Sequence, residues 1–198
     1  MFYFLVKVIS RIFFVLLFRA EAKGVENIPD TGAVILAANH MSNCDPPFLG
    51  SFMPREVCYM AKEELFQNPV FSRAITACHS FPVKRGAADR KAIKHALNLL
   101  AEGKCLGLFP EGTRSRTGEI GDAELGVGLF ASKSKAPVIP AAIIGTDKVF
   151  SSEKFFPKLK VIYGSPMYFE GDRKSKEDLA KFSRSVLDEI GRLKKANE

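Results

Sequence analysis

Short apolar runs alternate along this chain with segments whose apolar residues recur every three or four positions. The runs "AVILAA" (33–38), "VCYMAK" (57–62), "FPV" (81–83), "CLGLFP" (105–110), "APVIPAAIIG" (136–145) and "KLKVIYGSP" (158–166) read as strands. Between them, "PPFLGSFM" reads as a helix with proline in its first turn, and "LFQNPVFSRAITACHS" as helical after Pro69. In "ADRKAIKHALNLLAEGK", Ile93, Ala96, Leu97 and Leu100 form one helical stripe, started at Asp89 and closed by Gly103. The tail opens with Ser175 and Asp178 as a capping box, and Leu179, Phe182, Val186, Ile190 and Leu193 then line one face. Strands alternating with helices predict an α/β fold, a mostly parallel central sheet flanked by helices. No repeat or linker interrupts residues 24–198, which read as one domain.

The first 23 residues are different. "MFYFLVKVISRIFFVLLFRAEAK" is the most hydrophobic stretch, yet Lys7 and Arg11 interrupt it and its apolar core is short for a membrane span. Lys7, Ser10 and Arg11 share one helical face, and the rest of the surface is Phe, Leu, Ile and Val. This predicts an amphipathic membrane-docking helix in the lipid interface, with its cations near the headgroups. No small-residue cleavage site follows, which argues against a signal peptide. The expected location is membrane-associated, at the cytoplasmic face.

Charge sharpens this picture. The net charge of +7 is carried by residues 1–23 (+3) and 148–198 (+4), while residues 24–147 are balanced. There is no basic stripe with interleaved aromatics, so nucleic acid is not an expected partner. The basic ends suit anionic lipid, or an acidic carrier protein or coenzyme A. Cys44, Cys58, Cys78 and Cys105 form no C-x-x-C pair and have no histidine at zinc spacing, so reduced thiols and no metal are expected. Cys44 lies four residues from His40, but nothing beside it looks arranged to activate a thiol.

Three polar clusters follow predicted strands, at the strand ends where open α/β sheets bind ligands. They are "NHMSNCD" (39–45), "FPVKRG" (81–86) and "FPEGTRSRTGEI" (109–120). In the first, His40 and Asp45 would lie about 140° apart on a helix, at about 100° per residue, and could not touch. Pro46 and Pro47 bias the chain away from helix just before them, so a bend is expected in which imidazole and carboxylate can meet. The plainer alternatives are a structural histidine and an aspartate that caps the next helix. His79 and His95 read as structural.

In this order, "NHMSNCD", "FPVKRG", "FPEGTRSRTG" and "APVIPAAIIG" resemble the four-motif pattern of the glycerolipid acyltransferases. The similarity is greatest to the bacterial branch that acylates 1-acyl-glycerol-3-phosphate (lysophosphatidic acid), and it covers about residues 24–165. It implies that His40 is a general base oriented by Asp45, and that a fatty acyl group passes directly from a thioester to a free hydroxyl, forming phosphatidic acid. The donor would be acyl-CoA or acyl-carrier-protein, with no cofactor. Arg85 matches the arginine of the second motif, with Lys84 as a neighbouring helper. Glu111, Gly112, Thr113 and Arg114 fall in the third motif, and Pro140 in the fourth. Arg85 and Arg114 would grip the acceptor phosphate, and Glu111 would orient the acceptor or the arginines. Amides around Gly112 or in the 39–45 bend are both open as an oxyanion hole. "GDAELGVGLFA" departs from the basic F-K-x-G segment common at that point, which leaves the substrate-facing wall of that stretch undefined. Competing expectations are another acceptor (glycerol-3-phosphate, a lysophospholipid or an ornithine lipid), a lipid hydrolase, or a non-catalytic phospholipid-binding module.

Overall fold

The computed structural model describes residues 1–84, 89–115, 119–150 and 155–198. Seven strands form one sheet in the order β1-β7-β6-β2-β5-β3-β4. They are β1 (Glu21–Lys23), β2 (Val34–Ala38), β3 (Val57–Lys62), β4 (Phe81–Val83), β5 (Cys105–Leu108), β6 (Val138–Ile144) and β7 (Lys160–Tyr163). The helices are α1 (Phe2–Phe18), α2 (Asp45–Phe52), α3 (Pro69–Ala77), α4 (Arg90–Ala101), α5 (Gly126–Ser134) and α6 (Lys176–Lys195).

The five strands from β6 to β4 are parallel, and β7 runs antiparallel to β6. β1 pairs parallel with β7 at the edge. All five residues of β2 are buried. Val34, Leu36 and Ala38 face the core beneath α1 and α2, while Ile35 and Ala37 face the core beneath α4, α5 and α6. A strand covered on both faces carries an unbroken apolar run, which is why these segments do not alternate. Every predicted strand and helix is present. Asp89 caps α4, its Oδ1 accepting the amides of Lys91 and Ala92 at 3.1 and 3.0 Å. Ser175 Oγ caps α6 by accepting the Asp178 amide. The other half of that capping box is absent, because Asp178 Oδ2 accepts the Asp172 amide instead.

Two features differ from expectation. The boundary after residue 23 is not a structural one. Residues 21–23 are strand β1, and Phe14 and Phe18 of α1 are buried in the main core. Lys7 and Ser10 of α1 are half-buried, and Arg11 lies 5.3 Å over the Phe52 ring, so these polar side chains turn toward the protein body. Phe4, Leu5, Ile9, Ile12 and Leu16 face outward, each more than half exposed. Among the described residues, no helix is long and apolar enough to cross a membrane.

The segment "GDAELGVGLFA" divides in two: the Gly121 amide donates to Glu111 Oε2 at 3.0 Å, and from Gly126 on the chain is the buried helix α5, whose Val127, Phe130 and Ala131 pack in the core. Gly128 lets α5 meet α6 at close range. A Cβ there would lie 2.3 Å from the Leu179 carbonyl oxygen, and the Gly128 amide donates to Ser183 Oγ at 2.9 Å. Gly128→Ala is therefore expected to push the helices apart and cost about 1–3 kcal/mol. Urea unfolding of the two proteins would measure this; equal midpoints would refute the contact.

Candidate active site

β2 ends in Ala37 and Ala38, and the chain leaves the sheet at Asn39. Asn39 is buried and makes a reciprocal pair with β6, its Oδ1 accepting the Ile143 amide (2.7 Å) and its Nδ2 donating to the Ile143 carbonyl (3.0 Å). This fixes where the strand stops. The next residues bend back, and Asp45 opens α2, with Pro46 and Pro47 occupying the first-turn positions that need no intrahelical N–H partner.

The bend brings the two predicted residues together. His40 Nδ1 lies 2.8 Å from Asp45 Oδ2, with the histidine side chain 10% and the carboxylate 0% exposed. The same oxygen accepts the amides of Met41 (2.6 Å) and Ser42 (2.7 Å). Asp45 thus ties the bend to the imidazole and makes no side-chain cap for its own helix. Because Oδ2 already accepts two N–H groups, it is an acceptor toward the ring too. Nδ1 must then carry the proton, which leaves Nε2 with a lone pair. Phe109 stacks on the imidazole with centroids 4.0 Å apart and planes 19° apart, fixing the ring from the side.

The third motif joins this bend from β5, the neighbour of β2 in the sheet. Glu111 is buried. Its Oε1 accepts the His40 amide and its Oε2 the Gly121 amide, both at 3.0 Å. Each oxygen thus holds a backbone amide, one at His40 and one at Gly121. Gly112, at φ 65°, makes the turn that follows. The Ser115 amide donates to the His40 carbonyl at 2.8 Å, a second tie between the loops. Arg114 is exposed at the mouth, its Nη1 donating to Asn43 Oδ1 at 2.9 Å, and Thr113 is exposed beside it.

One predicted member does not gather here. Lys84 follows β4, three strands from β2, so at about 4.8 Å per strand it stands roughly 14 Å from the His40 column. Its ammonium lies 3.8 Å from Glu63, and it lines a separate cavity of about 800 Å³ with Asp89 and His95. The reason is topological: β5 and β3 intervene. Arg85 lies outside the described residues. The open choice of oxyanion donor also narrows. The amides of His40, Met41, Ser42, Cys44, Asp45 and Gly112 all donate within the protein already. Asn39, Asn43 and Phe109 were missed as functional positions. Their only sequence signal was their place next to the H-x4-D and P-E-G-T-R residues.

The remaining histidines have structural partners, His79 with Glu56 at 3.1 Å and His95 against the Phe81 ring. Burial pushes the Cys58 and Cys78 thiols up, and Cys105 to about 12, so these three are poor nucleophiles. No group of residues that could hold a metal ion occurs among the described residues.

The fold and site define an α/β protein with a buried His–Asp pair at the carboxyl ends of its parallel strands. The chain belongs to the acyltransferase family, whose model, described as Acyltransferase, matches residues 19–144. It is 35% identical over 174 residues to the 1-acyl-sn-glycerol-3-phosphate acyltransferase of Bacillus subtilis, covering 85% of this chain and 84% of that one. The protein of the same name from Helicobacter pylori is 32% identical over 129 residues, 63% of this chain and 54% of that one. Among solved structures, the 1-acyl-sn-glycerophosphate (LPA) acyltransferase PlsC from Thermotoga maritima superposes with a TM-score of 0.78 at 28% identity, covering 96% of this chain and 79% of that one.

If Glu111 is a clamp, Glu111→Gln keeps one acceptor and loses the other. We expect a loss of about 1–3 kcal/mol in urea unfolding, with kcat reduced and the acceptor KM unchanged. A raised acceptor KM at unchanged stability would instead mean direct contact with substrate.

Proposed function

We propose that this acyltransferase moves a fatty acyl group from a thioester, acyl-CoA or acyl-carrier-protein, to the free hydroxyl of 1-acyl-glycerol-3-phosphate, forming phosphatidic acid in phospholipid biosynthesis. The observation that carries the reading is the 2.8 Å contact between His40 Nδ1 and Asp45 Oδ2, which leaves Nε2 to accept a proton. The names of the Bacillus, Helicobacter and Thermotoga relatives support the choice of acceptor.

The acceptor oxygen attacks the thioester carbonyl carbon as His40 Nε2 takes its proton. Asp45 holds the tautomer and steadies the imidazolium that forms. When the tetrahedral intermediate collapses, the C–S bond breaks and the imidazolium returns the proton to the departing thiolate. The products are the ester and the free thiol. A thioester is already activated, so the step needs no covalent enzyme intermediate. Arg114 would fork onto the acceptor phosphate, a reading supported by its exposure at the mouth and its hydrogen bond to Asn43. Arg85 completes that grip in the reading taken from the second motif.

The acceptor and the product are lipids, and the outward side of α1 supplies a lipid contact. Its exposed Phe, Leu and Ile side chains would lie in the interface while the inward side holds the protein body. The protein would then be peripheral or monotopic, at the cytoplasmic face.

Purified protein given acyl-CoA or acyl-carrier-protein with lysophosphatidic acid should yield phosphatidic acid. Free fatty acid without acceptor turnover would identify a hydrolase instead. His40→Ala should lower kcat by about 10²–10⁴ with the fold intact, and a near-normal rate would remove the base. Arg114→Ala should raise the acceptor KM about tenfold to a hundredfold, and an unchanged KM would end its role as phosphate ligand.

A further inference from the structure

A groove of about 440 Å³ opens between α1, β1 and the end of α2, away from His40 and Arg114. Lys7, Arg11 and Val15 line it from α1, Glu21 and Val25 from the β1 side, and Phe52 from the end of α2. Its size falls within the roughly 300–1,000 Å³ of small-molecule sites. Its charge is unbalanced. The lining carboxylate, Glu21, is paired with Lys158 at 2.9 Å. Among the described residues, no carboxylate lies within ion-pair distance of Lys7 or Arg11.

Burial, and then the neighbouring Arg11 charge, hold the Lys7 ammonium below its ordinary value, against a smaller opposite pull from Glu56. Half-buried Lys7 and exposed Arg11 thus repel one another, and neither has a carboxylate in ion-pair contact among the described residues to offset it. An anion between them would relieve both costs at once. The walls select its kind. Phe52 and Val25 are apolar, and Val15 and the neighbouring outward residues of α1 continue that apolar surface to the outside. A ligand with a phosphate at one end and hydrocarbon at the other fits both features, whereas a free inorganic ion uses only the first.

We propose that this groove binds the phosphate of an anionic bilayer phospholipid between Lys7 and Arg11, with the lipid's chains running along the outward side of α1. The site is separate from the catalytic one and would fix the height and orientation of the enzyme on the membrane. It deepens, and rests on, the reading of α1 as the lipid contact.

The test is flotation of the full chain with vesicles of phosphatidylcholine alone or mixed with phosphatidylglycerol, a diester that is neither acceptor nor product of the proposed reaction. Phosphatidylglycerol should tighten binding about tenfold or more, given two basic groups at the surface. Lys7→Gln/Arg11→Gln should lose most of that gain yet bind neutral vesicles as the parent does. Lys7→Arg/Arg11→Lys, which keeps both charges, should retain it. Lys176→Gln/Lys181→Gln, on the helix across the sheet, should retain it as well. A gain that survives in the Lys7/Arg11 glutamine variant overturns the site. So does an equal loss in the Lys176/Lys181 variant, which would mean general charge attraction, and so does full competition by inorganic phosphate. If the parent ignores neutral vesicles but its gain still depends on Lys7 and Arg11, the phosphate site stands and the reading of α1 as an apolar dock falls.

Discussion

One carboxylate oxygen organises this site. Asp45 Oδ2 collects three N–H groups within 2.8 Å: the imidazole Nδ1 and the amides of Met41 and Ser42. The two amide bonds close the bend that brings residues five apart in sequence together, and the third selects the tautomer. Such a bundle of donors is worth far more in a site that excludes water than on a surface, and Asp45 is fully buried. Its second oxygen, Oδ1, is also buried and has no hydrogen-bond partner in the structure. The protein therefore tolerates an under-satisfied carboxylate to keep the imidazole in place, a cost of the kind that collects at functional sites.

Around this interaction the molecule adds rigidity from a distance. Glu111 lies 71 residues from His40, yet it grips the His40 amide because β5 is the hydrogen-bonded neighbour of β2. Phe109 emerges from the same strand to stack on the ring. The parallel sheet thus does what a local motif cannot: it sets two loops side by side with a fixed offset, so that His40 from one and Arg114 from the other face a common mouth. Lys84 shows the converse. It too follows a parallel strand, but at the edge of the sheet the same rule carries Lys84 away from His40.

Much of this was legible in the sequence. The buried strands were visible as continuous apolar runs, and Asp89, Pro46 and Ser175 marked helix starts that the structure keeps. The H-x4-D spacing before two prolines pointed to a bend, and the meeting of His40 with Asp45 followed. What stayed hidden was set by tertiary pairing. β1 is three residues long and has no pattern of its own; it is a strand because β7 is beside it. The helix α5 carries small residues such as Gly128 whose purpose shows only against α6. The two backbone amides that Glu111 accepts, at His40 and Gly121, were likewise invisible in the sequence.

The orientation of α1 was also half legible, and its reversal has a physical consequence. A helix on an ordinary globular protein turns its apolar stripe to the core and its charges to water. Here Lys7 and Ser10 lie inward while Phe4, Leu5, Ile9, Ile12 and Leu16 lie outward. Left in water, that outward surface would be a standing penalty at about 25 cal/mol per Å². What holds the helix to the body is aromatic: Phe14 meets Phe48 edge to face at 5.1 Å, and Phe18 is fully buried. Phe48 sits one helical turn beyond Asp45 on α2. The helix read as touching lipid is thus packed directly on the helix whose first residue holds the His40 ring. The outward surface of α1 and the His40–Asp45 bend are linked through the Phe14–Phe48 contact and one turn of α2.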